Sequence, residues 1–211
     1  LGPMRVNANR LLTNLSELAA IGALPEGGVQ RLAFTAEDLE GRDFVASRLR
    51  DLGLQPQVEA VGNLVAIRPG TDPDAPVVFV GSHTDTVGNA GRFDGALGVL
   101  AGVEILARLQ EERVQTRNPV GVVSFVNEEG VRFMPDMMGS LYLRGDLDTE
   151  ALRSIVGTDG TTIGENLDRL GMAGPDSLIG RPIRAFLELH IEQGPELETL
   201  DLPAGVVTGV Q

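Results

Sequence analysis

The sequence predicts an α/β fold, a three-layer sandwich around a mostly parallel central sheet. Residues 77–81 and 120–126 are apolar runs of the kind found in parallel strands that are buried on both faces. Segments whose apolar residues recur at helical spacing lie before, between and after these runs. Alternating strands and helices are typical of an α/β domain, and 42% hydrophobic residues are enough for its core.

Two helices are predicted to open the chain. Apolar residues at helical spacing predict the first over 6–21, and Gly22 is placed to end it. Thr35, followed by two acidic residues, is a typical N-cap for a second helix, which Gly53 ends. Residues 57–67 then alternate enough to predict a pair of strands around a glycine turn.

A strand–loop–helix unit is predicted in the middle of the chain. The strand at 77–81 leads through a glycine-rich loop into a helix over 95–109, and the strand at 120–126 follows. Ligands of open α/β sheets bind beyond the carboxyl ends of the strands. The loops that follow these strands are therefore where a functional site is expected.

Three short helices and one further strand are predicted after this unit. The helices are expected at 136–143, 149–155 and 162–170. Either Thr161 or Thr162 is expected to cap the last of them, with Glu165 in the capping-box position. The strand at 184–191 places Glu188 and His190 on one face, and residues 206–210 have the composition of another strand.

The composition disfavours several classes of function. Acidic residues outnumber basic residues by 30 to 17, and the net charge of -13 opposes binding to nucleic acid or to an anionic membrane surface. The longest apolar runs are far shorter than the roughly 20 residues that span a bilayer, and the first residues lack a secretory pattern. We therefore expect a cytoplasmic protein that acts on a small molecule, with no nucleic acid or membrane as partner.

The lack of cysteine restricts the kind of metal site that this chain can form. Without cysteine there is no disulfide and no thiolate ligand, so a metal ion must be held by carboxylates and imidazoles. The chain has two histidines, His83 and His190, and both lie at the ends of predicted strands. The search for ligands is thereby reduced to these two residues and the carboxylates near them.

Three candidate residues surround the glycine-rich loop. His83 follows a buried strand, and Asp85 is placed to hold one of its ring nitrogens, which would leave the other free to coordinate. Taken alone, such a pair is more often structural. Asp94 lies at the start of the next helix, where an N-cap is the ordinary interpretation. The loop lacks the spacing of the phosphate-binding motifs.

Glu128 and Glu129 end the second buried strand. Adjacent carboxylates repel one another unless a cation or a proton separates them, and adjacent side chains point in different directions. One could bind metal while the other faces a water molecule; a solvated loop is the ordinary alternative. The third strand contributes His190, followed by Gln193. Both histidines and these carboxylates lie at strand ends together, which favours a metal site.

Five short motifs occur in order along the chain. They are GSHTDTV (81–87), GRFDGALGVLAG (91–102), NEEGVRF (127–133), MGS (138–140) and HIEQGP (190–195). Together they resemble the hydantoinase/carbamoylase family of M20-type amidohydrolases, which includes N-carbamoyl-L-amino acid hydrolases, β-ureidopropionases and allantoate amidohydrolases. The resemblance covers nearly all of 4–211. It implies an M20-type catalytic domain and a hydrolase that acts on non-peptide C–N bonds.

Two divalent metal ions are the cofactors that this resemblance implies. Asp94 would bridge the ions, His83 and His190 would complete one of them, and Glu129 would bind the other. Zinc is the expected metal; manganese, cobalt and nickel also suit imidazole and oxygen ligands.

The resemblance also implies metal-assisted hydrolysis of the carbamoyl group of an N-carbamoyl-L-amino acid. Glu128 would be the general base, Asp85 would orient His83, and Gln193 would contact the ureido group of the substrate. Allantoate is the alternative substrate, and the HIEQGP motif disfavours an aminopeptidase or deacylase. A catalytically inactive domain that binds metal or a partner is the alternative from another class.

The chain is shorter than members of the family that it resembles. These contain a lid and dimerisation domain and a final catalytic segment, neither of which is found within 4–211. Residues 1–3 resemble the remnant of a tag. We expect 4–211 to be the N-terminal part of a catalytic domain, with an incomplete second metal site and little or no activity alone. Full-length members are expected to be homodimers.

Overall fold

An open sheet lies at the centre of the structure, a computed structural model that describes residues 4–175 and 178–209. Residues 1–3, interpreted above as a tag remnant, lie outside these ranges. In chain order the strands are β1 (Gln57–Val58), β2 (Leu64–Arg68), β3 (Val77–His83), β4 (Val120–Phe125) and β5 (Ile183–Leu187). The helices of the described residues are α1 (Ala8–Ala20), α2 (Ala36–Asp51), α3 (Ala96–Glu111), α4 (Met138–Arg144), α5 (Thr149–Arg153), α6 (Ile163–Leu170) and α7 (Glu196–Thr199).

The strands are arranged in the order β1-β2-β4-β3-β5, and one half of the sheet is parallel. β3 pairs in parallel with β4 and β5, whereas β2 pairs antiparallel with β1 and β4. The α3 helix provides the long crossover that parallel neighbours require, while a tight turn joins β1 to β2. The predicted α/β class is confirmed; the sheet is mixed because the β1–β2 hairpin adds two antiparallel strands to the parallel ones.

Apolar clusters cover both faces of the sheet. Because side chains alternate along a strand, Leu64 and Ala66 of β2 pack with α1, α2 and α3. Val65, between them, packs on the opposite face with Phe79 and Phe125. A third cluster joins α4, α5 and α6. The α3 helix is buried along most of its length, as its apolar sequence predicts.

Two predicted helix caps are confirmed. Thr35 accepts a hydrogen bond from a first-turn backbone N–H of α2, and Thr162 forms a capping box with Glu165 at the start of α6. The α4 helix begins two residues later than predicted, because Met137 adopts a left-handed conformation with φ of 55°. Within the described residues, no helix combines the length and the apolarity needed to cross a membrane.

The last part of the described chain is less regular than the sequence predicts. The β5 strand ends before residues 188–191 of the predicted strand. Residues 204–209 form no strand, and Val206 and Val207 are 91% and 80% exposed. An isolated β-type segment gains nothing from its composition unless a neighbouring strand supplies hydrogen-bond partners. Residue 210 of the predicted strand lies outside the described residues.

Asn63 links three segments close to the carboxyl edge of the sheet. Its buried amide donates to Glu59 Oε2 at 2.8 Å and to the backbone oxygen of Gly139 at 3.0 Å. Its Oδ1 accepts from the backbone N–H of Val126 at 3.1 Å. One side chain therefore holds the β1–β2 turn, the end of β4 and the start of α4 in fixed relative positions.

Replacing Asn63 by alanine should destabilise the protein by about 3 kcal/mol, because the buried N–H of Val126 and the buried C=O of Gly139 lose their partners. Urea unfolding followed by circular dichroism measures this free energy. Asn9→Ala, at an exposed position of α1, is the matched control and should change stability by less than about 0.5 kcal/mol. A loss at Asn63 no larger than that of the control would contradict the assignment of this structural role.

Candidate metal centre

His83 is held in one orientation at the end of β3. Its almost completely buried ring places Nδ1 at 2.9 Å from the backbone oxygen of Asp85. Because a carbonyl oxygen can only accept, Nδ1 carries the proton and Nε2 is free to act as a ligand. Gly95 packs against the ring, and a Cβ at this position would collide with the imidazole. The φ of +59° at Gly95 also favours glycine.

The structure brings three of the predicted ligands together. One ligand atom from each of His83, Asp94 and His190 lies within 4.8 Å of the other two, and the two imidazole centroids are 5.9 Å apart. Asp94 is not the N-cap of α3, because Gly95 occupies that position and no side chain caps the helix. The ordinary structural interpretation of Asp94 is therefore wrong, and its carboxylate faces the two histidines instead.

Two buried carboxylate oxygens at this position lack a hydrogen-bond partner among the described residues. They are Asp94 Oδ1 and Glu129 Oε1. Oδ1 lies 3.3 Å from His190 Nε2, but without the geometry of a hydrogen bond. Oδ2 accepts a hydrogen bond from Gln193 Nε2 at 3.0 Å. Buried polar atoms are nearly always paired, so oxygens left unpaired beside two imidazoles fit a divalent cation, for which they are typical ligands.

Asp85 organises the turn that carries Glu128 and Glu129. Its two carboxylate oxygens accept one backbone N–H each, from Glu128 and from Glu129, both at 3.2 Å. The sequence predicts that this carboxylate holds His83, but it lies 3.8 Å from Nδ1, and the backbone oxygen of Asp85 makes the hydrogen bond instead. The Asp85 carboxylate points away from His83 because the turn after β4 offers it two N–H donors.

Glu128 and Glu129 point to different partners, as adjacent residues should. The Glu128 carboxylate accepts from Ser140 twice, from the backbone N–H at 2.9 Å and from Oγ at 2.8 Å. Glu129 lies outside the compact group of His83, Asp94 and His190. No role for Ser140 is predicted from the sequence, although the residue belongs to the MGS motif, because its distance from Glu128 depends on how α4 packs against the end of β4.

Arg31 supports the loop after β3 from inside the protein. Its side chain is fully buried, with Nε donating to the backbone oxygen of Thr84 at 3.1 Å. Nη1 donates to the backbone oxygens of Leu18 and Ile21, at 3.1 Å and 3.0 Å. The backbone N–H of Arg31 also donates to Thr86 Oγ1 at 2.7 Å. This role is not predicted from the sequence, since nothing near Arg31 indicates that its charge is buried.

A model of Peptidase family M20/M25/M40 matches residues 79–207, which include every predicted ligand. The chain belongs to this family. It is 46% identical over 210 residues to the N-carbamoyl-L-amino acid amidohydrolase of Geobacillus stearothermophilus, a match that covers 97% of this chain and 51% of that protein. The Rhizobium meliloti protein of the same name is 41% identical over 207 residues, which cover 98% of this chain and 50% of that protein.

The crystal structure of a hydantoinase/carbamoylase family amidase from Burkholderia ambifaria is similar, with a TM-score of 0.90 and 43% identity over 94% of this chain and 49% of that chain. A ureidoglycolate hydrolase of Arabidopsis thaliana is 33% identical over 217 residues, which cover 98% of this chain and 45% of that protein. The predicted family resemblance is confirmed. This M20-family chain spans about half the length of the curated relatives that it matches.

Burial and like charges shift the pKa values of this M20-family site. Burial raises the pKa of Glu128 to about 7, although the hydrogen bonds from Ser140 act in the opposite direction. Burial also raises the pKa of Glu129; the neighbouring carboxylates raise it further, whereas the charge of His83 lowers it. The pKa of His83 is raised because the charge and the backbone oxygen of Asp85 outweigh the effect of burial. A bound cation would stabilise the charged forms of these carboxylates.

The stability of the metal-free chain should depend on the ionisation of Glu128. Its folded pKa of about 7 exceeds the ordinary 4.5, so the protonated form stabilises the fold below pH 4.5, and this contribution disappears as the pH rises through 7. Glu128→Gln removes this dependence. Its free energy of unfolding relative to that of the parent should therefore rise by about 3 kcal/mol when the pH is raised from 5 to 8. Urea unfolding of both proteins with a chelator present measures the gain. If the difference in stability between Glu128→Gln and the parent were the same at pH 5 and at pH 8, the raised pKa would be contradicted.

Proposed function

We propose that this chain is the metal-binding part of an amidohydrolase that cleaves the ureido C–N bond of N-carbamoyl-L-amino acids. His83, Asp94 and His190 form the group that supports this function, and one buried oxygen of Asp94 has no hydrogen-bond partner among the described residues. The names of the Geobacillus and Rhizobium relatives support the substrate class. Because the chain matches about half of each relative, the activity is proposed for the whole protein.

The residues of the proposed metal centre divide between two ions. Asp94 would bridge them, His83 and His190 would complete one, and Glu129 would provide its unpaired oxygen to the other. Imidazole and carboxylate donors without sulfur suit zinc, with manganese, cobalt and nickel as alternatives. When bound, such ions supply Lewis acidity and lower the pKa of water.

Glu128 is the proposed general base. In the metal-free chain, burial raises its pKa to about 7. This direction favours a carboxylate that takes a proton from the attacking water and passes it to the leaving nitrogen. The two hydrogen bonds from Ser140 fix the direction of its carboxylate. Asp85 acts through the backbone, because it holds the N–H groups of Glu128 and Glu129 while its carbonyl oxygen orients His83.

Gln193 is the proposed contact to the ureido group. Its side-chain amide reaches the centre from the segment after His190 and donates to Asp94 Oδ2. An amide offers both a donor and an acceptor, which match the carbonyl oxygen and the amine of a ureido group. The Arabidopsis relative bears the name ureidoglycolate hydrolase, so ureidoglycolate is the second candidate substrate, with allantoate as a further ureido compound to compare.

The metal-free chain should bind one zinc ion tightly through the His83–Asp94–His190 group. Asp94→Ala removes a ligand and should weaken this binding by about a hundredfold or more, whereas Glu129→Ala should leave it intact and remove any second, weaker site. Isothermal titration calorimetry gives both affinity and stoichiometry. Asp74→Ala, at an exposed position before β3, is the matched control. Equal affinities for Asp94→Ala and the control would refute the proposed centre.

The activity is tested by joining residues 4–211 to the second half of the Geobacillus relative. We expect this protein to release ammonia from an N-carbamoyl-L-amino acid faster than from ureidoglycolate or allantoate, and the 211-residue chain to release little. Glu128→Gln should lower kcat by about 10²- to 10⁴-fold with zinc affinity unchanged, because the residue moves a proton and is not a ligand. Glu150→Gln, exposed on α5, is the control. Retention of most of the activity by Glu128→Gln would exclude it as the base.

A further inference from the structure

His190 reaches the proposed metal centre from the segment that follows β5, three residues past the end of that strand. β5 is the edge strand of the sheet, all five of its residues are exposed, and its ladder with β3 ends at the pair Val80 and Leu187. Three residues further along each strand, the same register would place His190 beside His83. The observed ring separation of 5.9 Å agrees with this position. The backbone around His190 must therefore be held by contacts other than the β ladder.

One such contact joins Ser82 to Glu188. Ser82 is fully buried in β3, where it lies opposite Ser124 of β4, and its Oγ donates a hydrogen bond to Glu188 Oε1. Ser82 immediately precedes His83, and Glu188 lies two residues before His190. The hydrogen bond therefore connects the two backbone segments that carry the histidine ligands, just beyond the point where their ladder ends.

The packing of α3 supports the same region. A Cβ at Gly98 would lie 2.7 Å from the Cβ of Ser82 and 2.9 Å from the backbone oxygen of Leu189, so only glycine allows this close approach. On the other side of His190, Gln193 donates to Asp94 at 3.0 Å. His190 is thus flanked by two side-chain contacts, of which only the one through Gln193 involves a proposed ligand.

We propose that Ser82 and Glu188 are positioning residues, whose hydrogen bond sets the distance between the His83 and His190 imidazoles and thereby the metal affinity of the chain. Neither residue coordinates the ion. The inference rests on the proposed metal centre and extends it to a serine and a carboxylate that the hydrolysis itself does not use. Polar contacts that orient metal ligands typically change affinity by 10- to 100-fold when removed.

The experiment measures the zinc affinity of the 211-residue chain by competition with a chromophoric chelator. Ser82→Ala and Glu188→Ala should each weaken zinc binding about tenfold, and the double variant should be no weaker than either single variant, because both remove the same hydrogen bond. Glu188→Gln should stay within about twofold of the parent, since the amide oxygen still accepts from Ser82. Loss of affinity in Glu188→Gln would show that the charge, not the hydrogen bond, matters and would overturn the proposal.

Glu192→Ala is the matched control. Glu192 also lies two residues from His190, but its carboxylate accepts from the backbone N–H groups of Glu196 and Leu197 at the start of α7. This variant should bind zinc as the parent does. If it weakened binding as much as Glu188→Ala, or if Glu188→Ala bound normally, the proposed role would be refuted.

The cobalt-loaded chain provides a second readout that general destabilisation would not reproduce. Displacement of His190 changes the geometry around the ion, so Ser82→Ala and Glu188→Ala should alter the visible absorption of cobalt in the same way. Circular dichroism confirms folding, and Glu188→Ala, at an exposed position, decides the outcome if Ser82→Ala does not fold. Failure of the unaltered chain to bind zinc would refute the metal centre and this inference with it, whereas normal binding by parent and Glu188→Ala alike would refute only the inference.

Discussion

The parallel pairing of β3 with both β4 and β5 is the constraint on which the site depends. Parallel strands end at the same edge of a sheet, so His83, Glu129 and His190 leave three strands in the same direction although they are far apart in the chain. Asp94 reaches this edge by a different route, from the loop that enters α3. If β5 ran antiparallel to β3, His190 would lie at the opposite edge and the group would not form.

The site contains carboxylate oxygens that are fully hydrogen-bonded beside others that are not. Asp85 uses both carboxylate oxygens to hold the turn after β4. Asp94 and Glu129, by contrast, each have a buried oxygen with no hydrogen-bond partner among the described residues. Burying an unpaired carboxylate oxygen destabilises a fold unless a proton or cation compensates it. A cation bound beside these oxygens would provide that compensation.

Two adjacent glutamates show how backbone geometry separates chemical roles. Asp85 holds the N–H groups of Glu128 and Glu129 with one carboxylate, yet the side chains diverge towards Ser140 and towards the histidines. Burial then raises the pKa of both. Among the described residues, a hydroxyl and a backbone N–H fix the carboxylate of Glu128, and Glu129 Oε1 has no such donor. This difference supports the proposed roles of the two residues.

The α/β class, the helix caps and the convergence of His83, Asp94 and His190 could all be predicted from the sequence, because strand periodicity, capping residues and the position of ligands after strands are local properties. The mixed sheet and the binding of the turn after β4 by the Asp85 carboxylate became clear only from the folded chain. The contacts of Ser140 with Glu128, and of Ser82 with Glu188, could likewise not be predicted from the sequence. Each of these depends on how distant segments pack, and packing distances are not encoded in residue spacing.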